Sequence, residues 1–251
     1  MWGGQVVAVH RSAWEKHVFP HGRLELLAPG LWEVTGSLGR SPLPRNMQVW
    51  RAPSGGLLVH SAICLDDEGM KALDALGSVQ WIVVPCPLHR ADAAPYRQRY
   101  PDAQLLCPSA ARAKVEEVVA VDDVCERVLP DLGIAVHEPA GLKPFELHLV
   151  FPLEDGTKAL VMTDVLFNLG SRPPSGFGGL LLKWMGSVGP LGMTRLGRRL
   201  LLQDSSQAQA YLEQLAALPD LSLLCVAHGE AVHGEVSSAL REAAGRLNGG
   251  K

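Results

Sequence analysis

The sequence has no uninterrupted apolar run that approaches the ~18 residues of a membrane-spanning helix, so we expect no transmembrane segment. Its N-terminus also lacks the basic stretch followed by apolar residues that characterises a signal peptide. The basic excess typical of nucleic-acid-binding proteins is missing as well, because 23 Lys and Arg residues stand against 26 Asp and Glu residues, for a formal net charge of -3. These absences argue against a membrane-spanning protein and against general nucleic-acid binding.

Cysteine is scarce, with five residues, and its pattern does not indicate cross-links. The number is odd and no C-x-x-C motif occurs, which argues against a disulfide framework and against a structural zinc finger. Cys86, Cys107 and Cys225 lie in or beside apolar runs and are expected to be buried thiols. Together with the missing signal peptide, this pattern predicts a reduced, soluble, cytoplasmic protein.

The sequence does contain a globular composition that is rich in turn residues. Hydrophobic residues make up 47% of the 251 residues and charged residues 20%, which fits one folded domain with a sizeable core. The 26 Gly and 18 Pro residues exceed the usual combined share of roughly 12% and predict many turns and long loops. We therefore expect a single domain over residues 1–251.

Short apolar runs bounded by turn residues predict two successive groups of strands and helices. The residues at 154–156 indicate a hairpin turn in the second group. This order predicts an α+β protein with two sheets packed between helices, a four-layer αββα sandwich. A domain boundary near Asp131 is the weaker alternative, because no polar linker occurs there. The predicted strands cover 24–27, 31–35, 47–52, 57–61, 79–84, 104–107, 134–137, 145–151, 158–163 and 221–226, and the predicted helices cover 68–76, 90–100, 109–118, 206–217 and 236–247.

Four polar side chains lie where a predicted apolar strand ends. They are His60, His89, Asp164 and His228. In α/β folds ligands gather at strand ends, because loops converge there while the sheet stays rigid. Imidazoles and a carboxylate are able to bind a metal ion or to carry out acid–base chemistry. The sequence therefore predicts a candidate site made of these four residues.

Each of these residues also has a purely structural interpretation. Asp164 can cap the segment that follows it, and His60 can be a buried histidine bonded to a backbone carbonyl group. His89 precedes a predicted helix and can be a surface residue. His228 is the more specific candidate, because the glycine after it permits a close backbone approach or a positive φ.

Five stretches, in this order, resemble motifs of the metallo-β-lactamase superfamily from about Leu31 to Leu247. GLWEVTG resembles the opening strands of that fold, and GGLLVHSAICLDDEG resembles the strand with the family's L-I-D-T-G motif. VVPCPLHRAD stands in the place of its H-x-H-x-D-H motif. LVMTDVLFN resembles G-D-x-L-F, whose aspartate bridges two metals, and VAHGEAV resembles the last loop, whose histidine is a metal ligand. The resemblance implies the αββα fold and a metal-dependent hydrolase.

The sequence departs from these motifs at several metal-ligand positions. Pro85 and Pro87 replace the first two histidines of H-x-H-x-D-H, and His89 stands at its aspartate or, after a shift of one residue, at its last histidine. His60 replaces the aspartate of L-I-D-T-G, and 139–143 contains no counterpart of the family's mid-chain histidine. The resemblance therefore implies that the family's first metal site, built from three histidines, is absent, which argues against β-lactam hydrolysis.

A sub-branch of the superfamily shares this altered pattern, with the strings L-x-V-H-S-P-I-x-L and V-x-P-N-x-x-H. LLVHSAICL and VVPCPLH resemble them, with Ala62 in place of proline and Cys86 in place of asparagine. The function of that sub-branch is uncharacterised, so the resemblance implies the fold without settling the activity.

The ligands of the second metal site that the resemblance implies are better kept. His89, Asp164 and His228 offer two imidazoles and a carboxylate, which can hold one Zn²⁺, Fe²⁺ or Mn²⁺ with open positions for water and substrate. His60 or Asp92 would then be a fourth ligand, a partner of a ligand or a base. The first hypothesis is a divergent metal-dependent hydrolase of a small molecule with a mononuclear site, in which His60, His89 and Asp164 are catalytic.

The second hypothesis keeps the fold without a metal ion. It is supported by the loss of two or three ligand positions. The histidines and Asp164 would then form a hydrogen-bonded cluster in a pocket that serves non-hydrolytic catalysis or ligand binding.

Residues 168–203 form a basic and apolar insertion that contains no acidic residue. Its glycines and prolines predict an irregular segment near the site, one interpretation of which is a lid for an apolar or anionic substrate. The alternatives are a homodimer contact, a contact with a membrane surface, and an ordinary pair of helices that cover the core.

Overall fold

The computed structural model describes residues 13–39, 41–170 and 188–248. The first sheet has seven strands that lie side by side in chain order: β1 (Glu25–Ala28), β2 (Leu31–Leu38), β3 (Ser41–Arg51), β4 (Leu57–His60), β5 (Val79–Val83), β6 (Gln104–Cys107) and β7 (Asp123–Val124). Neighbouring strands are antiparallel from β1 to β4 and parallel from β4 to β7. The parallel strands therefore end at one edge of the sheet.

The second sheet has five strands: β8 (Ala135–His137), β9 (His148–Pro152), β10 (Lys158–Met162), β11 (Leu221–Val226) and β12 (Val232–His233). Their order across the sheet is β12-β11-β10-β9-β8, with β10 and β11 parallel and the other neighbours antiparallel. The predicted hairpin at 154–156 is confirmed, since it joins β9 to β10 and the Leu153 N–H donates to the Thr157 carbonyl oxygen at 2.9 Å. The parallel pair brings the carboxyl ends of β10 and β11 together.

Seven α-helices occur in the described residues: α1 (Asp67–Leu76), α2 (Ala93–Arg99), α3 (Arg112–Val115), α4 (Cys125–Val128), α5 (Arg195–Leu201), α6 (Ser205–Ala216) and α7 (Val236–Asn248). The first helix forms as predicted, because the Asp66 side chain caps it by accepting from the Gly69 N–H at 2.8 Å. None of the helices in this part of the chain combines the length and the hydrophobicity of a membrane span.

Three apolar clusters divide the molecule into layers. The first joins the helices α1 and α2 to the first sheet through Leu73 and Tyr96. The second lies between the two sheets around Trp50 and Phe151, and the third joins the second sheet to α6 and α7 around Leu212. The predicted αββα sandwich is confirmed, and the buried face between the sheets explains why their central strands are nearly all apolar.

Two predicted segments differ from the structure. The helix expected over 109–118 is a 3₁₀ turn, Ser109–Ala111, followed by the single turn of α3. Ser109 does not cap a helix, because its hydroxyl group donates to the Glu126 carboxylate at 2.7 Å. The segment expected to be irregular over 168–203 contains α5, which the Thr194 hydroxyl group caps by accepting from the Gly197 N–H at 2.9 Å. Positions 171–187 of that segment lie outside the described residues.

Candidate metal centre

The carboxyl ends of strands from both sheets bring three of the predicted site residues together. His89 follows β5, Asp164 follows β10 and His228 follows β11. The Oδ1 atom of Asp164 lies 3.4 Å from Nε2 of His89 and 3.0 Å from Nε2 of His228. All three side chains are nearly inaccessible, with exposed fractions of 6%, 9% and 2% in chain order. Asp164 is thus the centre of a buried cluster with one imidazole from each sheet.

A backbone carbonyl group orients the ring of His228. Its Nδ1 atom lies 2.6 Å from the Pro44 carbonyl oxygen, which can only accept, so Nδ1 carries the proton. In the neutral ring, Nε2 then directs a lone pair at the Asp164 carboxylate. Two acceptors that face each other at this distance need a proton or a cation between them. Histidine ligands of metal ions are commonly fixed by such an Nδ1–H donation to a carbonyl group.

Ser61 holds the ring of His89, which ends a 3₁₀ turn, Pro87–His89. Its Oγ atom lies 2.7 Å from Nδ1 of His89. Ser61 has a φ of 58°, in the left-handed region that non-glycine residues rarely adopt, and its N–H donates to the Val83 carbonyl oxygen at 3.0 Å. Strained backbone of this kind persists where the surrounding structure fixes it, and such positions cluster at functional sites.

The backbone at Asp164 is held by Glu146, a residue that precedes β9. The Glu146 carboxylate accepts from the N–H groups of Thr163 at 2.9 Å and Asp164 at 2.5 Å. It also lies 3.1 Å from Nε2 of His148, whose Nδ1 lies 2.8 Å from the Tyr211 hydroxyl group. This buried network extends from the site to α6 and fixes the direction in which the Asp164 side chain leaves the strand.

Cys86 adds a sulfur atom to the cluster. Its thiol donates to Oδ2 of Asp164 at 3.2 Å, and one potential ligand atom each from Cys86, His89 and Asp164 lie within 4.8 Å of one another. Burial, and then the adjacent Asp164 carboxylate, raise the pKa of the Cys86 thiol well above its usual value. The thiol is buried as expected. Its neighbours in the sequence are apolar, so they gave no indication that it lies beside Asp164.

The donor set fits a divalent metal ion in its chemistry. Two imidazole nitrogens, a carboxylate and a sulfur are the ligand types that Zn²⁺ takes in proteins. Burial alone would raise the pKa of Asp164, but the imidazoles of His89 and His228 outweigh it and hold that pKa well below its usual range. The carboxylate is therefore ionised and able to act as a ligand.

His60 and Asp92, the other two candidates, bond away from this cluster. Nδ1 of His60 lies 3.0 Å from Oε1 of Gln48, and the Gln48 side chain donates to Glu33 at 2.8 Å. These three residues stand opposite one another on β4, β3 and β2 as a buried polar ladder. Burial, and then His89, lower the pKa of His60 to about 3, so its ring is neutral. Asp92 instead accepts from the Arg45 guanidinium group.

A glycine sets the distance between the loops that carry Asp164 and His228. The N–H of Asn168 donates to the His228 carbonyl oxygen, and the N–H of Glu230 donates to the Asn168 carbonyl oxygen, both at 2.9 Å. Gly229 has a φ of 116°, and a Cβ atom at this position would lie 2.0 Å from the Asn168 carbonyl oxygen. The close approach expected for the glycine after His228 is thus confirmed.

A cavity of about 830 Å³ opens at the cluster, within the range of ~300–1,000 Å³ that is usual for ligand pockets. His89, Asp164 and His228 all line it. Much of the remaining wall is apolar, with Leu43 and Phe145 among its residues. The cluster therefore faces a space large enough for a small organic molecule.

The comparisons with known proteins bear on the fold. No protein-family model matches the sequence, and no curated protein is significantly similar to it. Among the solved structures that are similar to this chain, two match over nearly its whole length. One is the metallo-β-lactamase FIM-1 from Pseudomonas aeruginosa in its mono-zinc form. Its alignment covers 92% of this chain and 97% of FIM-1, with a TM-score of 0.59 and 10% sequence identity. The other is the metallo-β-lactamase DIM-1 exposed to ceftazidime, whose alignment covers 92% of this chain and 99% of DIM-1, with a TM-score of 0.62 and 11% sequence identity. The chain therefore has the metallo-β-lactamase fold.

Proposed function

We propose that the protein is a metal-dependent hydrolase of a small molecule, with one divalent metal ion bound by His89, Asp164 and His228. The observation that carries this proposal is the convergence of two imidazole Nε2 atoms on one carboxylate oxygen, at 3.4 and 3.0 Å, in the wall of a cavity. The mono-zinc form of FIM-1 supports it by analogy, since that protein has a single zinc in the same fold.

The ligand set favours Zn²⁺ over Mn²⁺. Cys86, which offers a sulfur atom within 4.8 Å of ligand atoms of His89 and Asp164, is a candidate fourth ligand, and a sulfur donor beside an imidazole suits zinc better than manganese. When bound, the metal ion would polarise a carbonyl or phosphoryl oxygen and lower the pKa of a bound water molecule toward ~7.

The protein side chains have separate roles in this proposal. His89 and His228 present Nε2 lone pairs, while Ser61 and the Pro44 carbonyl group keep their rings in place. Phe167 packs on the His228 ring with centroids 4.6 Å apart and shields that ligand from water. The catalytic role predicted for His60 stays a prediction, which the hydrolytic rate of His60→Gln would test.

A metal-free pocket protein is the second candidate. It is favoured by the hydrogen bonds within the cluster, because the Cys86 thiol and both histidines already contact Asp164. In that case the cluster would be a polar wall of a ligand-binding or non-hydrolytic catalytic pocket.

Metal analysis of the purified protein separates the two candidates. After equilibration with Zn²⁺, Fe²⁺ or Mn²⁺ and removal of excess ion, we expect one metal ion per chain. His89→Ala and His228→Ala should lose it. His233→Ala is the matched control, since His233 is exposed five residues beyond His228 and should leave the metal content unchanged. A wild-type protein without stoichiometric metal would contradict the hydrolase proposal and favour the metal-free pocket.

A further inference from the structure

Arg198 joins helix α5 to the end of helix α7. Arg198 donates from Nη1 to the carbonyl oxygen of Arg246 at 2.8 Å and from Nη2 to that of Leu247 at 2.6 Å. These carbonyl groups belong to the last turn of α7, where they lack partners within the helix. The arginine therefore satisfies the end of one helix and at the same time positions another.

Two of the three leucines of α5 are left exposed. Leu196 and Leu200 are one helical turn apart, are 44% and 52% exposed, and both line the cavity. No residue of α5 is fully buried. Leu201, the third leucine of α5, instead packs against the apolar cluster around Leu212. The helix therefore contacts the core at its end and presents Leu196 and Leu200 to the cavity.

A third exposed leucine, Leu88, also lines the cavity. In the described part of the chain, the exposed large hydrophobic side chains are Phe19, Leu26, Leu88, Val118, Leu196 and Leu200. Half of them line this one cavity, because Leu88 does so as well. Leu88 is 70% exposed and directly precedes His89. An apolar concentration of this kind in a concave site marks a binding surface for an apolar ligand.

The cavity has both polar and apolar lining residues. The cluster of His89, Asp164 and His228 lines it together with the exposed leucines, and Leu88 directly precedes His89. Its other charged lining residues, Arg45 and Lys143, are cationic, which disfavours a cationic ligand. A molecule that fills this space therefore combines a group that reacts at the cluster with an apolar, uncharged or anionic body.

We infer that Leu88, Leu196 and Leu200 bind the aliphatic acyl chain of the substrate, an acyl ester or thioester whose carbonyl group lies at the metal centre. The cleavage rests on the proposed hydrolase function, whereas the apolar binding site does not. In the reaction the bond between the acyl carbon and the leaving oxygen or sulfur breaks. The hydroxyl group of one water molecule joins the acyl carbon, and its remaining proton goes to the leaving alcohol or thiol.

The test uses cis-parinaric acid, a fluorescent fatty acid, titrated into the full-length protein, with laurate as a competitor. Wild-type protein should bind the probe and release it to laurate. The double variant Leu196→Glu/Leu200→Glu should bind it about tenfold more weakly or worse, because two apolar contacts are replaced by repelling charges. Leu26→Glu is the matched control, since Leu26 is 61% exposed on β1 away from the cavity, and its affinity should change by less than about twofold.

Circular dichroism of each variant, and the milder Leu196→Ser/Leu200→Ser, distinguish lost binding from misfolding. Equal affinity of folded wild-type and double-variant protein would overturn the inference. A second outcome would also overturn it. If light scattering shows that the wild-type protein is a dimer that binds no probe, and the Leu196→Glu/Leu200→Glu variant is a monomer, the leucines form an interface between two copies.

The titration is made on metal-stripped and on zinc-equilibrated protein, so that the two proposals fail separately. If the protein takes up no metal but binds the fatty acid in a way that depends on the leucines, the acyl-binding site is supported and metal-dependent hydrolysis is contradicted. If the protein binds stoichiometric metal but its fatty-acid affinity does not depend on the leucines, the metal centre is supported and the acyl-binding site is overturned.

Discussion

The Nδ1 atom of His228 lies 2.6 Å from the carbonyl oxygen of Pro44, a residue of β3 on the opposite sheet. This contact fixes both the ring orientation and the position of its proton. It also explains why the loop after β11 must approach the first sheet, which Asn46 supports by donating to the carbonyl oxygens of Val226 at 2.9 Å and Gly229 at 2.7 Å. The candidate metal ligand is thus oriented by a strand that carries no ligand itself.

Glu146→Gln should weaken metal binding by ~10–100-fold, the usual effect of losing a partner of a ligand. The amide has one acceptor oxygen in place of the two that hold the N–H groups of Thr163 and Asp164. Zinc competition with a chromophoric chelator measures the affinity. Tyr211→Phe is the control at the far end of the same network, and it should cost about 1 kcal/mol of stability while the zinc affinity stays near wild type. Equal affinities in wild type and Glu146→Gln would refute the role of Glu146.

Ser61→Ala and Ser61→Gly should both lower zinc affinity, by about tenfold, because each removes the hydroxyl group that holds His89. Their stabilities should differ, since glycine tolerates the φ of 58° and alanine does not. We expect Ser61→Gly to be more stable than Ser61→Ala by ~1 kcal/mol in urea unfolding. If zinc affinity follows stability instead of the hydroxyl group, Ser61 has only a structural role.

Gly229→Ala should destabilise the protein by ~3 kcal/mol or more, because its Cβ atom would meet the Asn168 carbonyl oxygen at 2.0 Å. Gly234→Ala is the matched control, with a φ of 74° and nothing within 4 Å of the added atom, and it should cost about 1 kcal/mol. Urea unfolding measures both. Similar losses in the two variants would mean that the loop contact at Gly229 is not tight.

Glu33 should make the fold less stable as pH rises. Burial chiefly raises the pKa of Glu33 from 4.5 to about 7, Gln48 opposes the shift and Glu25 adds to it. Because the folded-state pKa is the higher one, the protonated form is favoured, and its contribution is complete below pH 4.5 and lost as pH rises through about 7. The loss amounts to roughly 3 kcal/mol.

Glu33→Gln should therefore be more stable than wild type at about pH 8 and similar to it near pH 4.5, as measured by urea unfolding. Glu213→Gln, an exposed position on α6, is the control and should follow the wild-type pH profile. A constant difference between Glu33→Gln and wild type over this range would show that the Glu33 carboxyl group does not titrate there.

The αββα architecture and the meeting of His89, Asp164 and His228 were predictable from the sequence. Each residue follows an apolar strand, and the resemblance to metallo-β-lactamase motifs implied that these strand ends from the two sheets lie together. The residues that orient these ligands were not predictable. Glu146 acts on backbone N–H groups, which every residue has, and Pro44 acts through its carbonyl group, so no side-chain pattern marks either contact.

The position of Cys86 and the surroundings of helix α5 were not predictable for a different reason. Cys86 stands among apolar residues and is buried, so its neighbourhood in the sequence does not distinguish a thiol in the core from one beside a carboxylate. The surroundings of helix α5 were also not predictable, because Leu196 and Leu200 line a cavity while Leu201 packs on the core and Arg198 contacts the end of α7. Both depend on contacts between residues that are far apart in the chain.

The proposed binding of one metal ion by His89, Asp164 and His228 is tested most directly by crystallography. The measurement is a crystal structure of zinc-equilibrated protein with anomalous data on both sides of the zinc absorption edge. We expect one anomalous peak per chain, at about 2.0–2.2 Å from Nε2 of both histidines and from an Asp164 carboxylate oxygen. The absence of a peak, with both imidazoles still hydrogen-bonded directly to Asp164, would contradict it.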